Sequence, residues 1–133
     1  MGEFGNLTYP SKEVITEIDN IVIKRNIDGY EGGRTLDMTG YKLPVIYAGH
    51  PVIKETATNT CKPMPLNASN DAYEALPAGH TYAGIVPASK PADRPFVGVM
   101  TWGVVNPAAA KIKYGSILTA LKAALPHIEF RED

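Results

Sequence analysis

Four side chains in this 133-residue sequence have the chemistry to hold a metal ion or attack a bond: His50, His80, His127 and Cys61. Imidazole nitrogen and thiolate sulfur are common zinc donors, so these residues are the first candidates for a metal centre. Their spacing argues against one, because CxxC, HxxxH and HExxH are all absent. The plainer reading makes His50 and His80 turn residues whose rings bond nearby backbone. A thiol nucleophile assembled from Cys61, a histidine and Asp71 is conceivable. Yet Cys61 stands before Lys62-Pro63 in an apparent edge strand, with no helix N-terminus to lower its pKa, and reads better as a partly buried structural thiol. The carboxylates Asp19, Asp28, Asp37, Glu55, Glu74 and Asp93 are spread through polar segments, as solvated surface charges usually are.

Other patterns carry no more chemistry. Tyr30-Glu31-Gly32-Gly33-Arg34 has the glycines of a phosphate cradle but lacks GxxxxGK[ST] and a following helix, so it reads as a turn. Asn6-Leu7-Thr8 and Asn67-Ala68-Ser69 match the glycosylation sequon, which has meaning only in a secreted chain. Trp102, Tyr82, Tyr73 and Tyr47 could stack on a sugar or a base. Trp102 follows the most apolar run, which favours a core or subunit-interface role. No enzyme signature emerges, and no metal or cofactor is expected.

The elements that would position these residues are mostly strands. Twelve glycines and eleven prolines favour short strands and tight turns over helices. The centre of the chain is Leu76–Pro107, where the runs Tyr82–Val86 and Phe96–Val105 read as buried strands joined by an exposed, stiff loop, Pro87–Pro95. Glycines 84, 98 and 103 inside these runs predict bulges or close backbone approach, hence a bent and tightly covered sheet. Upstream, Pro44–Tyr47 and Pro51–Lys54 flank the turn Ala48-Gly49-His50, and Lys62–Leu66 reads as an edge strand. Ala-Gly-His recurs at 78–80, again before an apolar strand, as one turn type used twice. A strand is expected at Asn20–Asn26, where Ile21-Val22-Ile23 is rich in β-branched residues.

Downstream, Asn106-Pro107-Ala108 reads as a capped helix start, and Ser116 as the cap of a second helix, Ile117–Leu125, with Ala124 on its buried face. Pro126 ends it, and His127–Phe130 is a closing strand. The expected fold is mainly β (β-rich α+β): a compact β-sandwich or barrel-like domain over 28–133, one helical segment near the C-terminus, and an N-terminal arm over 1–27.

Composition bounds the partners. Thirteen basic against fourteen acidic residues leave no polybasic face for nucleic acid or anionic lipid. No apolar run approaches the ~20 residues of a membrane span, and no signal-peptide core opens the chain. A lone cysteine fits a reducing compartment. A soluble chain made in a cytoplasm, with no nucleic acid and no membrane as partner, is the expectation.

The series Ala48-Gly49-His50-Pro51-Val52-Ile53-Lys54-Glu55, Lys62-Pro63-Met64-Pro65, Leu76-Pro77-Ala78-Gly79-His80-Thr81-Tyr82-Ala83-Gly84-Ile85, Gly98-Val99-Met100, Gly103-Val104-Val105-Asn106 and Ala124-Leu125-Pro126-His127-Ile128 resembles small head-decoration or head-fibre proteins of tailed bacteriophages. The order of elements is similar to the lambda-type decoration fold, over about Gly29 to Asp133. The resemblance implies a non-enzymatic, β-rich virion protein, often a homotrimer, made in the bacterial host cytoplasm and seated on the outside of the capsid. The major capsid protein would be its partner, and its work would be to reinforce the shell or present an appendage. In such families the N-terminal arm commonly pairs with a shell strand, here roughly Leu7–Ile27. Capsid or subunit contacts would then fall on Tyr9, Ile21, Val22, Ile23, Tyr30, Arg34 and Trp102. The competing readings are a small β-sandwich glycan-binding adhesion module using Trp102 and the tyrosines, and a metal or thiol enzyme using His50, His80 and Cys61.

Overall fold

The computed structural model describes residues 19–132. Tyr9 and the other residues of 1–18 lie outside the described residues, as does Asp133. A helical turn, α1 (Asp19–Val22), leads into β1 (Ile23–Gly29) and then β2 (Arg34–Thr35). The strands β3 (Val45–Ile46), β4 (Pro51–Glu55), β5 (Cys61–Pro63) and β6 (His80–Ile85) follow. Next come β7 (Lys90–Pro91), β8 (Phe96–Val97) and β9 (Met100–Val105). A 3-10 turn (Gly115–Ile117) runs into α2 (Leu118–Ala124), and β10 (Ile128–Phe130) closes the chain. The protein is mainly β with one short C-terminal helix, as its turn-rich composition predicts.

The strand β9 holds the main sheet together. β1 lies antiparallel along one of its edges, with Gly29 opposite Met100 and Ile23 opposite Val105. The other edge is divided between two neighbours. β6 meets it at Met100, and β10 runs parallel to it from Gly103 to Val105. β4 pairs with β6, and β5 with β4, which makes β5 an outer edge as its Lys-Pro sequence suggests. Parallel pairing of β9 and β10 demands a crossover connection, which residues 106–127 and α2 supply.

Both faces of this sheet are covered. Along β4, Val52 enters one apolar cluster and Ile53 the other, as alternation on a strand requires. The larger cluster joins Ile53, Ile85, Met100 and Val105 to Tyr114, Ile117, Leu121 and Leu125 beneath α2. The smaller joins Val52, Ala83 and Val99 to Leu36, Ile46 and Val97. These last three come from two small ribbons, β2–β8 and β3–β7. Each layer buries residues that would otherwise face water, at about 25 cal/mol per Å² of apolar surface.

Glycine permits the tight closure. A Cβ on Gly84 would stand 2.5 Å from the Met100 carbonyl oxygen, and one on Gly103 2.2 Å from that of Arg25. The pairing also shifts register at several points along β9 and once along β4. The close approach expected at glycines 84 and 103 and the bulges are therefore present, whereas a Cβ on Gly98 would meet only the Pro87 side chain, at 3.1 Å. Both Ala-Gly-His turns place glycine at positive φ, Gly49 at 92° and Gly79 at 76°, so one backbone solution is used twice.

Several expectations change. The boundary drawn at residue 27 falls inside β1, and residues 20–22 are helical. Phe96–Val105 is two strands, because the chain leaves the β2–β8 ribbon at Gly98 to enter the main sheet. β3 does not pair with β4 across Gly49 but with β7, so the Pro87–Pro95 loop is partly built in. Ser89 is buried and its hydroxyl accepts the Ala48 N–H at 3.0 Å. Residues 106–110 form a turn, with Asn106 Oδ1 accepting from the Ala108 N–H at 3.0 Å. No helix propagates from it, because Ala110, Ile112 and Tyr114 are buried while Lys111 and Lys113 are exposed, a two-residue period. Ser116 makes no capping bond, and Ala124 faces solvent.

Gly103→Ala should lower stability by about 2 kcal/mol or more, because two backbones must part. Gly40→Ala, where nothing lies within 4 Å and only the positive φ of 86° is strained, should cost about 1 kcal/mol. Denaturant midpoints compare them, and equal losses would contradict this account of β9.

Candidate functional site

The residues with reactive side chains are held apart. His50 lies in the core at 1% exposure, between the edges of Tyr41 and Tyr73, whose ring centroids are 5.5 and 5.2 Å away. Its Nε2 lies 3.1 Å from the Met64 carbonyl oxygen, which can only accept, so Nε2 carries the proton. Nδ1 is then a bare acceptor, buried and without a partner among the described residues. Burial pushes the pKa of His50 down to about 4, the Met64 bond opposing it. His50 bonds backbone fourteen residues away rather than locally. His80 does bond locally, through Nδ1 to the Ala78 carbonyl at 2.9 Å. His127 sits beside Trp102 at 6.2 Å between rings, and Cys61 is 3% exposed in the second core. Among the described residues no three His, Cys, Asp or Glu side chains group as metal ligands.

The ring contacts around His50 continue through the core. Tyr73 stacks on Tyr114 at 5.9 Å, and Tyr114 meets Phe130 edge-on at 5.7 Å. Tyr114 donates its hydroxyl to the Gly49 carbonyl at 2.6 Å, and Tyr41 donates to that of Val45 at 2.7 Å. Burial raises the pKa of all three phenols. These aromatics tie the Gly49 turn to the C-terminal crossover. Isolated in sequence, Tyr41, Tyr73 and Tyr114 carry no signal that would assign them to one cluster.

A cleft of about 600 Å³ opens beside β5, between Tyr41, Lys62, Pro65, Asn67, Glu74 and His80. Two of its polar members are engaged with their own neighbours, while the His80 Nε2 is buried without a partner among the described residues. Asp37 accepts from the Thr39 backbone and hydroxyl, which lowers its pKa, and Asn67 exchanges two bonds with Asp71.

The surface offers more. Trp102 is 50% exposed and Phe96 58%, although both lie on strands. The core reading of Trp102 is therefore corrected: its neighbours Gly103 to Val105 are buried, but its own ring faces outward beside His127. Of the other expected contact residues, Ile21 is exposed at 54% and Arg34 lies exposed over the Tyr30 ring at 4.9 Å. Tyr30 is partly buried against the smaller core, and Ile23 packs on the larger one. Val22, fully enclosed by its own chain, is a core residue and not a docking one. Tyr30–Arg34 is a turn, with the Gly33 N–H donating to the Tyr30 carbonyl at 3.1 Å.

No protein-family model, curated protein or solved structure matches the chain. Among the described residues no helix is long and apolar enough to cross a membrane.

The depressed His50 pKa has a consequence for stability. Between pH 6.5 and about 4 the unfolded chain binds a proton at this position and the folded chain does not, so stability rises with pH across that window and falls on acidification. The contribution is roughly 3 kcal/mol at 1.36 kcal/mol per pH unit. Subtracting the stability curve of His50→Gln from that of the native chain should reveal this slope. A His50 ring that titrates near 6.5 by NMR would contradict it.

Proposed function

We propose that this chain is a non-enzymatic structural protein of a phage virion, docked on the outside of the capsid through the major capsid protein. It would act there as an oligomer, a homotrimer in the arrangement the sequence resemblance implies, reinforcing the shell or carrying an appendage. The observation that carries the reading is the exposure of Trp102 and Phe96 on strands anchored in the main sheet and its ribbon. Large aromatic side chains on rigid backbone lose little entropy on contact, and they are enriched where proteins grip proteins. The buried state of His50 and Cys61 is consistent with it, since neither is placed to meet a substrate.

A second reading rests on the same tryptophan. Trp102 with His127 at 6.2 Å could stack on a sugar ring, as a glycan-binding adhesion module requires. Co-sedimentation with emptied tailed-phage capsids distinguishes the two. The capsid reading expects binding that Trp102→Ala or Phe96→Ser weakens by at least about tenfold while the circular dichroism spectrum stays native. Absence of shell binding, together with a Trp102-dependent signal on a glycan array, would replace it with the adhesion reading.

A further inference from the structure

Four large apolar side chains are exposed among the described residues: Ile21, Ile27, Phe96 and Trp102. Three of them lie on β1, at its entry, or on the strand beside it. Ile21 is in the turn that enters it, Ile27 is within it at 46% exposure, and Trp102 is opposite Asp28 on β9. Among the described residues β1 pairs with β9 alone, and Lys24 through Asp28 are all exposed. An edge strand of this length is open to pairing with another chain. Lys24 and Arg25, and the register shifts against β9, are features that keep ordinary strands away. A strand that offers a carboxylate in the matching place passes that filter.

We propose that β1 pairs antiparallel with β1 of a second copy, about a two-fold axis at Asn26, so that two main sheets become one. A two-fold axis normal to a sheet returns each face to itself, so only some registers are available. Centring the pair on Arg25 sets two guanidinium groups against each other, which is repulsive. Centring it on Ile27 joins the two isoleucines but carries Lys24 past the strand end at Gly29. Centring it on Asn26 sets Lys24 opposite Asp28 twice and lays the aliphatic stem of Arg25 against Ile27 twice. The charge order of β1 is thus complementary to its own reversal.

The other outer strands answer β1 less well. β5 would bring Lys62 toward Lys24 and Arg25, and its Pro63 has no N–H to donate. β10 has three residues. The two-fold contact goes beyond the capsid reading and differs from a three-fold one, which joins unlike surfaces.

The test uses the full chain in solution. Light scattering over a concentration series should show a species of twice 14.3 kDa. Asp28→Lys should raise its dissociation constant at least about tenfold, and Lys24→Asp combined with Asp28→Lys should restore it. Asn26→Cys, under mild oxidation, should give a reducible covalent dimer faster than Arg25→Cys or Ile27→Cys; native Cys61, at 3% exposure, does not compete. A chain that stays monomeric at every concentration would overturn the proposal, leaving residues 1–18 or a foreign protein as the cover of this edge. So would a dimer or trimer indifferent to Asp28→Lys, or faster cross-linking at Ile27→Cys. Shell binding is read separately, so the loss of either reading leaves the other standing.

Discussion

The Arg25 carbonyl oxygen and the Gly103 α-carbon approach so closely that a methyl group on Gly103 would lie 2.2 Å from that oxygen. The same holds where Gly29 meets the Val99 carbonyl and where Gly84 meets that of Met100, at 2.3 and 2.5 Å. These three contacts fall on β9 and on Val99 just before it, and let β1 and the mid-chain strand β6 close on it. β1 takes one edge, while β6 and β10 share the other in tandem. Without side-chain-free positions at those points the edges would stand apart, and the shared edge could not form.

That geometry determines what the surface can present. Trp102 sits on the strand with the most neighbours, next to residues of the larger core, so its exposed ring is borne on backbone fixed from both sides. His50, by contrast, is sealed by Tyr41 and Tyr73, and its bare Nδ1 makes protonation a burden on the fold. His50 goes inward among Tyr41, Tyr73 and Tyr114, while Trp102 and Phe96 face outward.

The glycine pattern was legible in the sequence because glycine inside an apolar strand has few purposes other than close approach. Strand positions were legible for similar reasons, and the Ala-Gly-His turns announced themselves twice. Pairing was not. Val45–Ile46 and Lys90–Pro91 are too short to declare each other as partners. The stretch after Asn106 has helical residue types, yet its burial alternates, since the crossover must carry Ile112 and Tyr114 to the core before α2 begins. Of the two roles expected for Trp102, core or subunit interface, only the core one falls; an apolar run conceals which member faces out, and the register shifts beside Trp102 do not show in residue types. The His50 cage was hidden because its rings come from positions 41 and 73, with Tyr114 stacked on Tyr73 behind them.

Native-state hydrogen exchange at single-amide resolution tests the central role of β9 most directly. If β9 holds the fold together, amides of Gly103, Val104 and Val105 should exchange only through global unfolding, with the full unfolding free energy, while the β3–β7 ribbon opens more easily. If the ribbon outlasts β9, or if β9 amides exchange through local opening at a small fraction of that free energy, the shared strand is not what keeps this protein together.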